Sequence, residues 1–182
     1  MLGPPFFHQA FRRRSASMRA IRMLLPLAAA VLSAGPALAV QPIHPLEFFE
    51  GRTESAGTVK TLMKTPYRTR SMGRGQIEPD GSLSLFQRVE DEGKPPRERR
   101  WRIRQIGAGH FAGTMSEASG PVSIDEVGGR YRFRFKIKGN LSVEQWVVPL
   151  AGGLAARNLM TVRKFGMVVG TGEGVIRKLT DR

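Results

Sequence analysis

The stretch Tyr131, Arg132, Phe133, Arg134, Phe135, Lys136, Ile137, Lys138 alternates apolar and cationic positions without a break. In an extended chain neighbouring side chains point to opposite faces. Tyr131, Phe133, Phe135 and Ile137 therefore share one face, and four cations share the other. Burying a large apolar side chain is worth roughly 1.5–3 kcal/mol, so the apolar face turns inward. Gly128-Gly129 before this strand and Gly139-Asn140 after it read as hairpin turns. The design recurs with Trp101 and Ile103 set against Arg100, Arg102 and Arg104, and again with Leu83 and Leu85 inward over residues 82–89, after the turn Pro79-Asp80-Gly81. Residues 141–148, 154–164 and 167–179 supply strands in the back half, and 50–62 and 67–77 in the front. Residues 110–117 and 122–127 give two shorter ones. Leu46 to Phe49 has room for one helical turn, and helical periodicity is sustained nowhere. About nine or ten strands on short turns make an all-β antiparallel meander. Closing it removes its edges, so the expected fold is a small up-and-down, lipocalin/calycin-like barrel, with a curved open sheet as the alternative.

The cationic rows also bear on a lipid-embedded barrel. There the apolar face would meet lipid and the Arg and Lys rows would fill a narrow lumen. Unpaired buried charge costs several kcal/mol per ion, and the chain has too few acids to pair them all. The pattern therefore favours an apolar interior.

Ahead of the strands the pattern changes character. Met18-Arg19-Ala20-Ile21-Arg22 is a short cationic start, Leu24 to Ala34 an apolar run, and Ala37-Leu38-Ala39 a small-x-small cleavage site. These three parts in this order read residues 18–39 as a cleavable secretory signal peptide, with Ala37 and Ala39 as the cleavage residues and Val40 as the mature start. An uncleaved anchor or a buried helix is the plainer alternative. Spanning a bilayer takes about 20 apolar residues, more than this run offers, and Pro26 and Pro36 oppose a long helix. Residues 1–17, with Arg12-Arg13-Arg14, read as a start-site extension, or else as a twin-arginine signal that lacks its apolar follow-up. Residues 40–47 are expected as an extended Pro-rich lead-in, and 48–182 as one barrel domain.

Charge changes the list of partners. The chain has 29 Lys and Arg against 15 Asp and Glu; five of the basic residues and none of the acids precede Val40, so the remainder carries 24 against 15, a net +9. Such a balance in the cytosol would point to nucleic acid. For an exported protein it points away from nucleic acid, toward anionic small molecules or peripheral contact with an anionic membrane surface, or simply to a solvated surface. There is no cysteine. Neither disulfides nor lipidation of an N-terminal Cys is therefore available, and the expected location is the periplasm.

Several blocks in order carry a family resemblance: Phe48-Phe49-Glu50-Gly51-Arg52-Thr53-Glu54 at the opening, Arg100 to Arg104, Gly107 to Thr114, and Asn158 followed at spacing by Lys164-Phe165-Gly166 and Met167 to Gly170. In this order they resemble the bacterial domain-of-unknown-function family 3833, over nearly the whole chain after the signal. The resemblance implies an exported, β-barrel-like envelope protein with no assigned activity. Members of that family are often expected to be lipoproteins; the absence of cysteine sets this chain apart as a free periplasmic form.

Few residues offer chemistry. His44 and His110 are the only histidines after the signal, too few ligands for a metal site. Asp125 and Glu126 are adjacent and so face opposite ways. Gly170-Thr171-Gly172-Glu173-Gly174 lacks the ending and the helix of a phosphate loop; its three glycines share a strand face and leave room for another element or a large ring. No cofactor and no catalytic set is expected. Asn158 is more informative, because Ala156, Met160 and Val162 share its face and place it inward, where a buried amide needs partners. It either ties down a loop or orients a ligand. Lys164 reaches the same face at the strand end before Gly166, where it either snorkels out to solvent or pairs with Glu50 or Glu173. Glu50 and Arg52 share a face, which suits a cross-strand ion pair. Trp101 reads as core, and Trp146, whose face carries Ser142 and Glu144, as a rim residue. The candidate ligand-binding set is thus Asn158, Lys164, Glu50, Arg52, Trp101 and Trp146. The first functional expectation is a non-enzymatic module for a lipid-like or amphipathic molecule. A structural or interaction protein with a filled core comes second, and a hydrolase or isomerase using Glu50, Arg52 and Lys164 third.

Overall fold

A computed structural model describes residues 44–180. The signal, its cleavage residues Ala37 and Ala39, and the stretch before them lie outside the described residues. A short helix α1 (Pro45–Phe49) is followed by ten strands: β1 (Gly51–Thr61), β2 (Lys64–Ile77), β3 (Leu83–Asp91), β4 (Arg97–Gly107), β5 (His110–Met115), β6 (Val122–Val127), β7 (Arg130–Ile137), β8 (Leu141–Pro149), β9 (Ala155–Lys164) and β10 (Met167–Leu179). Each strand pairs antiparallel with the next, and β1 pairs with β10, so the meander closes into a ten-stranded up-and-down barrel. Of the two arrangements the sequence allowed, this is the closed one. The turns carry the expected chemistry: Gly128 and Gly129 both have positive φ, 58° and 72°, matching the twist of the strands they join.

The β1–β10 seam depends on missing side chains. Gly57 and Gly174 are direct partners. A Cβ on Gly57 would run into the Glu173 carbonyl, and one on Gly174 into the Ala56 carbonyl. One of the three aligned glycines, Gly174, is thereby explained as room for backbone. Gly170 and Gly172 lie above Gly174 on the inner face, and the room beside Gly172 is taken by Met160, whose Cε lies 3.0 Å from where a Cβ would stand.

The faces sort as the alternation requires. Leu83, Leu85, Trp101, Ile103, Tyr131, Phe133 and Phe135 are buried inside, whereas Arg100, Arg102, Arg104, Arg134 and Lys136 are exposed on the outer wall. This is the reverse of a barrel that faces lipid. No described helix is long and apolar enough to cross a membrane.

The barrel is stopped at one end. The extended lead-in expected through residue 47 gives way to α1 at Pro45, a residue suited to the first helical position because its missing N–H has no helical partner to lose. Leu46, Phe48 and Phe49 are buried against the lower barrel core, and their burial favours a turn of helix over an extended strap. Gly75 makes the fit possible: a Cβ there would collide with the Phe49 carbonyl oxygen. Glu50 caps the helix through its backbone N–H to the Leu46 carbonyl at 3.1 Å, and the chain turns into β1.

Candidate functional site

Above the α1 plug the interior is open. An inner chamber of about 170 Å³ rises from Phe49, walled by Leu85, Trp101, Phe133, Asn158 and Met160. An outer chamber of about 570 Å³ continues to the rim, where Thr61, Lys94, Lys138, Leu141 and Gly170 line it. Val59, Tyr67, Asp91, Arg97, Arg99, Gln145 and Met160 line both, so the two join through one waist. The strand register produces this division. Long apolar side chains fill the inner face at the plugged end, while Ser55, Gly57, Ser71, Gly172 and Gly174 leave space higher up.

The inner chamber is apolar with a few fixed polar atoms, as small-molecule sites are. Trp101 Nε1 donates to Gln87 Oε1 at 2.8 Å, and the ring stands edge-on to Phe133 and Phe135 at 6.3 and 5.8 Å. Ser55 and Ser71 share a hydrogen bond of 2.8 Å across β1 and β2. Two atoms are left over: Asn158 Oδ1 in the inner chamber and Thr61 Oγ1 in the outer are buried with no hydrogen-bond partner. A buried polar atom without a partner costs about 1–3 kcal/mol, so both atoms favour a ligand or water that supplies one.

At the waist sits an ionic belt. Arg97 Nη1 meets Asp91 Oδ2 at 2.5 Å, and its Nε donates to Glu117 Oε1 at 2.8 Å. Arg99 holds the other oxygen of Glu117 with Nε at 2.9 Å and Nη2 at 2.6 Å. Thr69 Oγ1 donates to Asp91 Oδ1 at 2.7 Å; Lys94 Nζ stands 3.5 Å from Asp91 Oδ2 and 3.8 Å from the Tyr67 ring centre. Burial works against the Asp91 carboxylate, but the hydrogen bonds from Thr69 and Arg97 and the nearby cations outweigh it and hold the group below the usual carboxylate range. The outer chamber is lined by four cations, Lys94, Arg97, Arg99 and Lys138, against the two carboxylates Asp91 and Glu117. The belt is thus a mouth with positive charge to spare, in which Glu117 occupies the two-pronged position an incoming anion would take.

The six candidate residues separate. Asn158 and Trp101 line the chamber as expected. Lys164 is exposed at the β9–β10 turn, its Nζ 5.7 Å from the Phe165 ring centre. Glu50 and Arg52 lie at the plugged end, so the length of β1 separates them from Lys164 and the three form no common group. Trp146 sits on the outer wall rather than at the rim. Arg130 and Arg132 lie 5.1 and 5.6 Å from its ring centre, and its Nε1 donates to Glu144 at 3.3 Å. His110 meets Asp125 on the outside at 3.1 Å, and among the described residues no three His, Cys, Asp or Glu side chains gather as metal ligands. The alternation from Arg100 onward starts one residue past the belt. Carried two steps back, the same rule puts Arg99 and Arg97 on the Trp101 face.

The chain is a closed antiparallel barrel with one plugged end and an internal cavity. Solved structures resemble it in fold. The S-type phycobiliprotein lyase CPES from Guillardia theta matches with a TM-score of 0.60 at 8% identity, over 75% of this chain and 92% of that one. A de novo designed fluorescence-activating β-barrel matches at 0.42 and 12% identity, over 74% of this chain and 96% of the other. A redesigned barrel, mFAP0, bound to DFHBI matches at 0.42 and 8%, over 72% and 99%. At these identities the likeness concerns the fold alone. No protein-family model and no curated protein matches the chain.

Proposed function

We propose that the protein is a non-enzymatic binding module of the bacterial envelope, taking up one amphipathic, lipid-like molecule with an acidic group. The body of the ligand lies in the chamber between Trp101 and Met160, a donor on it satisfies Asn158, and its acidic end meets Arg97 and Arg99 at the waist. The observation that carries this reading is the cavity running from the rim to the unpartnered Asn158 oxygen. A filled structural core does not suit an interior with that much space. The sequence signal at 18–39 supports export, and the resemblance to family 3833 supports the envelope as its setting.

Native mass spectrometry of gently purified protein tests the binding. The expected result is a discrete adduct, or uptake of one from an envelope lipid extract. Asn158→Leu, which removes the acceptor, is expected to weaken uptake by about tenfold, the worth of one buried hydrogen bond. A bare mass with no uptake sinks the binding role. Cell fractionation tests the address: the expected product is periplasmic and begins at Val40, and a cytoplasmic, uncleaved chain rules export out.

A further inference from the structure

The open rim carries a feature that ligand uptake does not require. Five large apolar side chains are exposed at two neighbouring hairpin tips: Leu62 and Met63 in the turn between β1 and β2, and Phe165 in the β9–β10 turn with Met167 and Val168 at the start of β10. They make up half of the exposed large hydrophobics found among the described residues, and the other five are scattered over the walls and the plugged end. Because β1 pairs with β10, the two tips are zipped together up to the Leu62 N–H, which donates to the Val169 carbonyl at 2.9 Å. The five side chains therefore form one patch. Exposed apolar residues scattered singly need no explanation, whereas a contiguous patch marks a contact surface.

Backbone conformation gives an independent reason to regard the patch as purposeful. Met63 and Phe165 hold φ of 64° and 51°, a left-handed conformation that is costly for bulky side chains and suits Gly or Asn. Yet Met63 is 97% exposed and Phe165 76%. At each tip a large apolar side chain occupies a turn position it fits poorly and gains no burial in return. Folding alone does not select that arrangement. The surrounding charge indicates what does. Residues 58–68 and 162–171 contain Lys60, Lys64, Arg68, Arg163 and Lys164, and no Asp or Glu. The neighbouring β3–β4 turn adds Glu92 and Lys94.

We infer that these paired tips dock the open rim onto an anionic lipid bilayer, the apolar side chains entering the interface and the lysines meeting head-group phosphates. Amphipathic surfaces bind membranes in this way, through apolar insertion added to cationic attraction. A second copy of this chain would meet five like charges on its own matching patch, which disfavours self-association there. The docking places the mouth of the cavity against the membrane, and it stands whether or not the cavity takes a ligand.

The absence of cysteine allows a clean test. A polarity-sensitive fluorophore is attached to Val168→Cys at the tip and, in a second preparation, to Val127→Cys at the opposite end of the barrel. Vesicles of phosphatidylcholine are added with and without phosphatidylglycerol. The tip probe is expected to shift to the blue with the anionic vesicles and much less with the neutral ones, while the far probe stays unmoved. Met63→Asn with Phe165→Asn is expected to lower vesicle affinity by tenfold or more and to leave the melting temperature equal or higher, since Asn accepts the left-handed turn. Lys64→Gln with Lys164→Gln is expected to remove most of the preference for anionic vesicles. A silent tip probe, equal shifts at both ends, or undiminished binding by the Asn variant would each overturn the docking. So would a concentration-dependent dimer that the Asn variant abolishes without any vesicle binding, which would make a second copy the occupant.

Discussion

Single residues in this barrel divide between those that make room and those that fill it. Gly75 makes room for the Phe49 carbonyl, and Gly57 and Gly174 for each other's strands. Gly75→Ala forces backbone apart at the plug and is expected to destabilise by about 1–3 kcal/mol, the usual cost of overpacking. Urea unfolding of the pair measures it, and an unchanged midpoint would mean that α1 is free to shift. The inner row of β9, with Asn158 beside Met160, could be read from alternation because its neighbours were plainly apolar. Arg97 and Arg99 were less legible. A charged side chain in an inward register looks like a strand boundary until its partners Asp91 and Glu117 arrive from β3 and from the turn after β5, and those partners are set by tertiary register alone. Trp146 misled for the related reason that its face mixes polar and apolar residues. On the outer wall such a mixture is stable, because Arg130 and Arg132 cover the ring.

At the scale of elements, strands were legible and the helix was only half so. Period-two alternation gives strand after strand an apolar face to bury, closing the sheet buries those faces and removes its edges, and Gly-rich turns mark where most strands stop. Five residues from Pro45 to Phe49 hold no such repeat; their helical turn could be guessed, but its work as a stopper depends on where the barrel ends. Phe48 is 3% exposed and stands edge-on to Phe49 at 5.1 Å. Phe48→Ala is expected to cost about 3–5 kcal/mol, as aromatic truncations in a core do. It should also let an apolar dye such as ANS into the lower barrel, so calorimetry and dye fluorescence together report whether the helix closes that end. Loss of stability without dye binding would show a core that collapses around the gap instead.

At the scale of the whole molecule, charge and closure set the response to solution conditions. Asp80 is held at about 2 by hydrogen bonds from the Ser82 side chain and backbone and from Arg102. His110 and the arginines beside Asp125 lower that group as well, and Asp91 lies below its ordinary value in the belt. Each carboxylate is more acidic folded than unfolded. Its stabilising share is therefore complete above an unfolded value near 4 and is lost as the pH falls toward the folded value. The urea midpoint is expected to be flat from about pH 7 to 5 and to drop between about pH 4 and 2, and Asp91→Asn should make that drop shallower. A midpoint that holds at pH 3 would remove the belt from the stability of the fold.

The stopper at the foot of the barrel has one more consequence. A tube with two mouths can pass its contents along, but a cup cannot. Whatever enters past Arg97 and Arg99 must leave by the same door, and while it stays nothing can follow it. For a ligand bound as proposed, exchange would therefore be strictly sequential, and a surface docked at the rim would set the moment of release.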